Sequence, residues 1–289
     1  MGIIFVDFYG VIIKFIGNSY SSPQLAFFRN FFALIPIILL LIITRDIKNI
    51  FVGISKKFLF LCFLRGISFV LMQIFYYISI INMNFATATT LTFSSPIFIV
   101  VLSMLVLKEK IGLFRWSAIF IGFGGVLFIM NPTSDLFSYI SILPLLAALC
   151  WAISNIVLKF IPEDISSVKI NFYSINFSYI GSLIILLFSS DFSPVENSFD
   201  WLLLILIGIL GGIASILFSF AYRVVSPSTL APFEYLGIPS SFILGWIFFY
   251  EAPIEQLFPG VLGIVAAGFI IIWREKKLSI GKIVSNKIH

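Results

Sequence analysis

Ten stretches of this chain are apolar for about 16–22 residues at a time: 3–18, 25–44, 59–80, 86–107, 115–131, 141–160, 169–188, 201–221, 229–250 and 257–273. A helix rises about 1.5 Å per residue, so about 20 apolar residues cross a hydrocarbon core about 30 Å thick. The expectation is an all-α integral membrane protein with ten transmembrane helices. A transmembrane barrel would need ten-residue segments of alternating polarity, and these runs are continuous. The breaks carry turn and polar residues, as in "GNSYSSPQ", "NPTSDLFS" and "SSDFSPVENSFD". Only 11% of the 289 residues are charged and 60% are hydrophobic, with a mean hydropathy of +1.13. Soluble domains carry about 25% charged residues.

The few charges are unevenly spread. With the N-terminus in the cytoplasm, 15 of the 18 Lys and Arg fall on the inner side and only Lys14 on the outer; Arg29 and Arg65 lie within spans. This is the positive-inside pattern, and it predicts that both termini are cytoplasmic and that loop 189–200 is external. The net charge of +5 therefore reports topology, and no basic cluster amounts to a nucleic-acid footprint. The first stretch has no small-residue cleavage site, so it reads as a helix. At 16 residues it would span about 24 Å, short of the core.

Catalytic signatures are missing. The single histidine is His289, so neither an HExxH site nor a Ser-His pair can form, and there is no GxSxG. Cys62 and Cys150 sit in apolar runs and read as packing residues. No metal site and no cofactor are expected. The chain has no GxxxxGK[ST] loop, so any transport would draw on an ion or solute gradient.

The two halves resemble each other. "KFIGNSYSSPQLAFFRNFF" (14–32) aligns without a gap on "KFIPEDISSVKINFYSINF" (159–177) at an offset of 145. At the same offset Gly66 falls on Gly211 and Tyr77 on Tyr222; Pro96 falls on Pro239 at 143 and Glu109 on Glu251 at 142. Each half holds five stretches. An odd number makes the second half enter the membrane from the opposite side, an inverted repeat of the kind transporters use. Duplication for assembly alone is the other reading.

The residues that carry a wider likeness are "FFRNFFALIP" (27–36), "LRGISFVLMQIFYY" (64–77), "ATATTLTFSSPIFIVVLSMLVLKEKIGLFRWSAIFIGFGGVLFIMNP" (86–132), "AALCWAISNIVLKF" (147–160) and "APFEYLGIPSSFILGWIFFYEAP" (231–253). With these segments the chain resembles the EamA family of the drug/metabolite transporter superfamily over nearly its whole length. The resemblance implies a first five-helix repeat at 1–132, a second at 141–277, and a cytoplasmic tail at 278–289. It implies a multi-pass protein of the cell (inner) membrane. The solute path would be lined mainly by spans one, three, four, six, eight and nine. Asn155 of span six joins the candidate contacts; its counterpart at position 10 is Gly. The segments 14–32, "LRG" and the Ala-Pro-aromatic-charged-Tyr-Leu run of span nine look most like the S-adenosylmethionine uptake branch, in which the span-nine charge is usually basic; here it is Glu234.

Pro96 and Pro239 each remove a backbone hydrogen bond inside a span. They read as hinges or broken helices beside a substrate, or as static kinks. Ser94, Ser95, Ser240 and Ser241 are at hand to satisfy freed carbonyls. The glycines Gly122, Gly124 and Gly125 and Gly208, Gly211 and Gly212 read as close helix contacts.

Four charges lie within the bilayer: Asp7, Arg29, Arg65 and Glu234. A charge at the centre of a spanning helix costs at least about 2.5–3.5 kcal/mol. Arg65 is level with Asp7 and Glu234, so a structural group with Arg65 between the two carboxylates is expected. The alternatives are water or a cationic substrate at Glu234, and snorkelling of Arg65. Tyr76, Tyr77, Trp151, Tyr222 and Tyr235 each stand near a polar residue. An aromatic face can hold an organic cation, or simply pack.

The functional expectation is a secondary active transporter of a small organic metabolite, amino-acid-like or cationic to zwitterionic, S-adenosylmethionine included. Glu234, Tyr235, Tyr76, Tyr77, Trp151, Asn155 and Tyr222 would contact the solute, and Arg29 would take its carboxylate. A coupling ion or an exchanged solute completes the set of partners, with the lipid bilayer around them and no nucleic acid. Export of amino acids or metabolites is the runner-up. A membrane scaffold or receptor is the reading outside transport, separable by whether Glu234 and Arg29 matter for flux.

Overall fold

The computed structural model describes residues 1–130, 139–189 and 191–250. The tenth stretch, 257–273, the tail 278–289 and Glu251 lie outside the described residues. Among the described residues every element is a helix. In chain order they are α1 (Gly2–Ile16), α2 (Ser22–Ile43), α3 (Lys56–Asn82), α4 (Phe85–Thr92), α5 (Ser95–Val106), α6 (Leu113–Met130), α7 (Ile142–Val157), α8 (Ser167–Ser189), α9 (Ser198–Val224), α10 (Pro227–Leu230) and α11 (Gly237–Phe249). Among the described residues, six segments are long and apolar enough to cross a membrane: Ser22–Ile43, Lys56–Asn82, Thr87–Val106, Ile142–Phe160, Ser167–Ser189 and Ser198–Val224. The chain is a multi-pass membrane protein. α1 has 15 residues, so it is as short as expected.

Local chemistry places the helix ends. Ser21, Ser55 and Asn197 cap α2, α3 and α9, each side chain accepting from a first-turn N–H, and Pro23 occupies the first turn of α2. The caps matter because orphan N–H groups at a helix start have no intrahelical partner.

Two expected spans are broken. The fourth divides at Phe93–Ser94 into α4 and α5. Pro96 stands in the first turn of α5, where its missing N–H costs nothing; it could not stand inside one continuous helix without losing the bond to residue 92. The ninth divides more deeply. After α10, residues Ala231–Leu236 form 3₁₀ turns, with Pro232 at their start, and α11 follows with Pro239 in its first turn. Each proline thus follows a break in its span.

α9 packs against α2 and α1, α3 against α7 and α8, α2 also against α8, α5 against α7, and α1 against α11. Glycines permit the closest of these approaches. A Cβ on Gly208 would stand 2.2 Å from the Cβ of Phe32, and one on Gly212 2.6 Å from Pro36. Gly66 does the same for α3 against α8, where a Cβ would meet the Ser174 carbonyl at 2.6 Å. Gly122 makes room for the Tyr235 ring. Among the described residues, nothing lies within 4 Å of a Cβ built on Gly124.

Candidate functional site

The broken ninth span puts Glu234 in its 3₁₀ segment, buried to 6% exposure. Three helices send donors to its carboxylate. The Trp151 indole N–H of α7 donates to Oε1 at 2.8 Å, the Tyr222 hydroxyl of α9 donates to the same oxygen at 2.6 Å, and the Ser95 hydroxyl of α5 donates to Oε2 at 2.7 Å. An indole N–H can only donate, and three donors on two oxygens suit an ionised carboxylate. Charge-assisted bonds of this kind are about twice as strong as neutral ones, and here they replace water around the anion.

Asp7 of α1, also buried, faces the same space and is hydrogen-bonded by the Ser240 hydroxyl of α11. Asp7, Glu234 and Ser95 line a cleft with Tyr9, Tyr76, Trp151, Phe218, Met72, Phe93, Thr89, Thr92, Ile3 and Val6. Its unfilled space is about 620 Å³, solvent at the mouth included. Small-molecule sites are mostly apolar with a few fixed polar groups, as this lining is. The aromatic walls and two carboxylates can hold a cationic group, by charge and by ring faces together.

The candidates named from sequence divide into two groups. Glu234, Trp151, Tyr76 and Asp7 line the cleft, and Tyr222 reaches it through Glu234. Tyr77, Tyr235, Asn155 and Arg29 are not among the residues lining that cleft. The Tyr77 hydroxyl is buried with no hydrogen-bond partner among the described residues, Tyr235 packs under Gly122, and the Asn155 amide donates to the Trp151 carbonyl at 3.0 Å.

Arg29 lies behind Tyr9. Its guanidinium is 4.8 Å from the centre of the Phe69 ring and 5.8 Å from that of Tyr9, and it donates to the Gly211 carbonyl at 2.8 Å and to Asn30 Oδ1 at 3.1 Å. Gly211 has no side chain to obstruct it: a Cβ there would stand 2.5 Å from Arg29 Nε. Arg65 does not sit between the two carboxylates. It donates to Ser219 Oγ at 2.7 Å and to Asn171 Oδ1 at 3.3 Å, in a polar cluster of α3, α8 and α9 that Ser215 completes. The expected Asp7–Arg65–Glu234 group is replaced by hydroxyl and indole donors on the carboxylates and amide and hydroxyl acceptors on the arginine. The hinge candidates Pro96 and Pro239 flank the cleft through their neighbours: Ser95 binds Glu234 and Ser240 binds Asp7.

Reasoning from sequence assigned those serines to freed carbonyls and passed over Tyr9 and Phe218. A serine beside a proline at a helix break, facing a lone intramembrane carboxylate, was the available signal for the first pair. The aromatics had none, because 35 Phe in one chain offer no contrast.

The full length of the chain bears comparison with known proteins. Residues 1–131 and 138–273 both match the EamA-like transporter family. The chain belongs to the EamA family. Among relatives of this EamA protein, the S-adenosylmethionine uptake transporter of Rickettsia bellii (strain RML369-C) is 29% identical over 94% of this chain and 91% of its own length. The riboflavin transporter of Vibrio cholerae serotype O1 is 32% identical over 65% of this chain and 62% of its own. The pseudopaline exporter CntI of Pseudomonas aeruginosa (strain UCBPP-PA14) is 25% identical over 92% and 91%. A solved crystal structure shares the fold with a TM-score of 0.69 at 15% identity, covering 96% of this chain and 98% of that one. The family and the cleft within it make this EamA protein a membrane transporter of small organic molecules.

Proposed function

We propose that this transporter carries a small organic cation or zwitterion, with its positive group held in the cleft between Asp7 and Glu234 and against Tyr76, Tyr9 and Trp151. The observation that carries the reading is the pair of buried carboxylates on an aromatic-walled cleft inside the bilayer. S-adenosylmethionine, with a sulfonium and an amine, meets that chemistry and is the solute in the name of the Rickettsia bellii relative.

The protein is a secondary transporter of the inner membrane with ten helices in two inverted repeats, 1–132 and 141–277, and both termini cytoplasmic. Alternating access moves one repeat against the other. The packing supports the inverted plan. α2 on α9 is matched by α8 on α3, and α1 on α9 by α7 on α3. At the start of α2, Gln24 donates to the Ser193 carbonyl at 2.6 Å; 145 residues later, at the start of α8, Lys169 donates to the Asn49 carbonyl at 2.9 Å. Each repeat thus grips the loop between the second and third spans of the other.

Purified protein in liposomes, offered labelled S-adenosylmethionine, riboflavin and a panel of amino acids, tests the reading. Uptake of the sulfonium and of cationic amino acids, with neutral and anionic solutes excluded, is the expected result. Uptake confined to neutral or anionic solutes would sink it. Export is the second reading, favoured by the likeness to the pseudopaline exporter over 92% of this chain. Counterflow from preloaded vesicles separates the two.

A further inference from the structure

The two carboxylates of the cleft differ in their hydrogen bonding, and the difference has a chemical meaning. Glu234 has three donors directed at its two oxygens, a set that favours its anion. Asp7 faces one hydroxyl, that of Ser240. The same Ser240 oxygen lies 2.9 Å from the Gly237 carbonyl, three residues earlier in α11. A serine hydroxyl has one proton, and a carbonyl can only accept. If that proton goes to Gly237, Ser240 can only accept from Asp7, and Asp7 must carry a proton of its own. If it goes to Asp7, the carboxyl is an anion and the Gly237 carbonyl loses this bond. The row Asp7, Ser240, Gly237 carbonyl is complete only when Asp7 is protonated.

We infer that Asp7 is the proton-carrying carboxyl of this transporter, and that Ser240 transmits its protonation state to the break in the ninth span; the inference rests on the transport reading above. On deprotonation the O–H bond of Asp7 breaks and the proton leaves to water in the cleft. The Ser240 O–H then turns from the Gly237 carbonyl to the new carboxylate. That turn loosens the first turn of α11, next to Pro239, and so ties the charge on α1 to the joint on which α11 swings. Reprotonation reverses each step. Glu234 keeps its charge throughout and remains the fixed anion.

The groups facing Asp7 agree with this division. Tyr9 shares its helix, Tyr76 comes from α3 and Glu234 from the ninth span; α9 brings Phe218 and α4 brings Thr89 and Thr92 to the cleft, none of which titrates. Arg29 stands beyond Tyr9 and bonds elsewhere. Among the described residues that line the cleft, none is a cation, so the Asp7 proton exchanges with the cleft and whatever occupies it.

Infrared difference spectroscopy of the full-length protein in lipid tests the proton site without any solute. The carbonyl stretch of a protonated carboxyl should rise and fall with pH, vanish in Asp7→Asn and persist in Glu234→Gln. Ser240→Ala should shift its midpoint, which keeps the test alive if the Asp7 variant is recovered poorly. A band lost in Glu234→Gln and kept in Asp7→Asn, or no titrating band at all, overturns the proposal. In proteoliposomes given labelled S-adenosylmethionine, a gradient of about one pH unit supports about tenfold accumulation for one coupled proton. In Asp7→Asn the ratio with and without the gradient should fall to about one; a ratio still near ten overturns the coupling. If S-adenosylmethionine is not carried at all, the solute assignment fails while the infrared result still decides Asp7.

Discussion

Glu234 is a charge in lipid made tolerable by three neutral donors, and variants of it separate charge from scaffolding. Glu234→Gln keeps an oxygen for Trp151 and Tyr222, and Ser95 can turn to accept from the new amide, so the protein should fold. The loss of one charge-assisted contact, about 1.5–3 kcal/mol, should weaken binding of a cationic solute by roughly 10–150-fold, as measured by equilibrium binding in detergent. Glu234→Ala strands all three donors at about 1–3 kcal/mol each. Its folded yield should collapse, whatever the solute does. A Gln variant with unaltered affinity would remove Glu234 from the solute site and leave it structural. Arg65→Ala should also lower folded yield, by removing its bonds to Asn171 and Ser219 and emptying the buried space its side chain fills, while leaving affinity alone, since the arginine is outside the cleft.

Among the elements, the close pairing of α2 with α9 and the breaks in spans four and nine have opposite characters. Phe32 meets Gly208 through its Cβ and its backbone, with a virtual Cβ 2.2 Å from the first and 2.9 Å from the second. Backbone cannot step aside as a side-chain tip can. Gly208→Ala should therefore cost about 1–3 kcal/mol, visible as a lower midpoint in detergent thermal unfolding. The ninth span is held open by local chemistry. Pro239→Ala restores an N–H and removes a bias against continuous helix of about 3 kcal/mol. Slower turnover with unchanged solute affinity is the expected outcome; equal turnover in both proteins would make the break a static kink. Much of this scale is readable from residue types alone. The caps Ser21, Ser55 and Asn197 and the breaks at Pro96 and Pro239 follow from backbone donors and ring sterics, which act over a few residues.

For the whole molecule, the proposed orientation rests on the distribution of the basic residues. Cysteine placed at exposed Glu196 should react with a membrane-impermeant maleimide in intact cells, and cysteine at exposed Lys48 only after lysis. The reverse pattern would invert the topology. Gln24 bonds the Ser193 carbonyl and Lys169 the Asn49 carbonyl, and on the proposed inverted plan these contacts bind one repeat to the other. They join residues 169 and 120 positions apart in the chain, so no local pattern announces them.

Much about this protein was determined by its sequence alone. The length of the apolar runs demands a bilayer and helices across it, because lipid offers no partner to an open backbone group. The lopsided lysines and the offset of 145 residues are the grounds for the proposed orientation and the proposed repeat. All of these are one-dimensional signals, carried by length, composition and spacing. The partners of the buried charges were decided only by the tertiary structure. Asp7, Arg65 and Glu234 were level by depth, and depth alone suggested that they pair. Depth says nothing of azimuth: Arg65 points toward α8 and α9, while the carboxylates turn to Ser95, Trp151, Tyr222 and Ser240. Which side of a helix meets which neighbour depends on how the helices cross. That is set by the close contacts at Gly66, Gly208 and Gly212, many residues from the charges they orient.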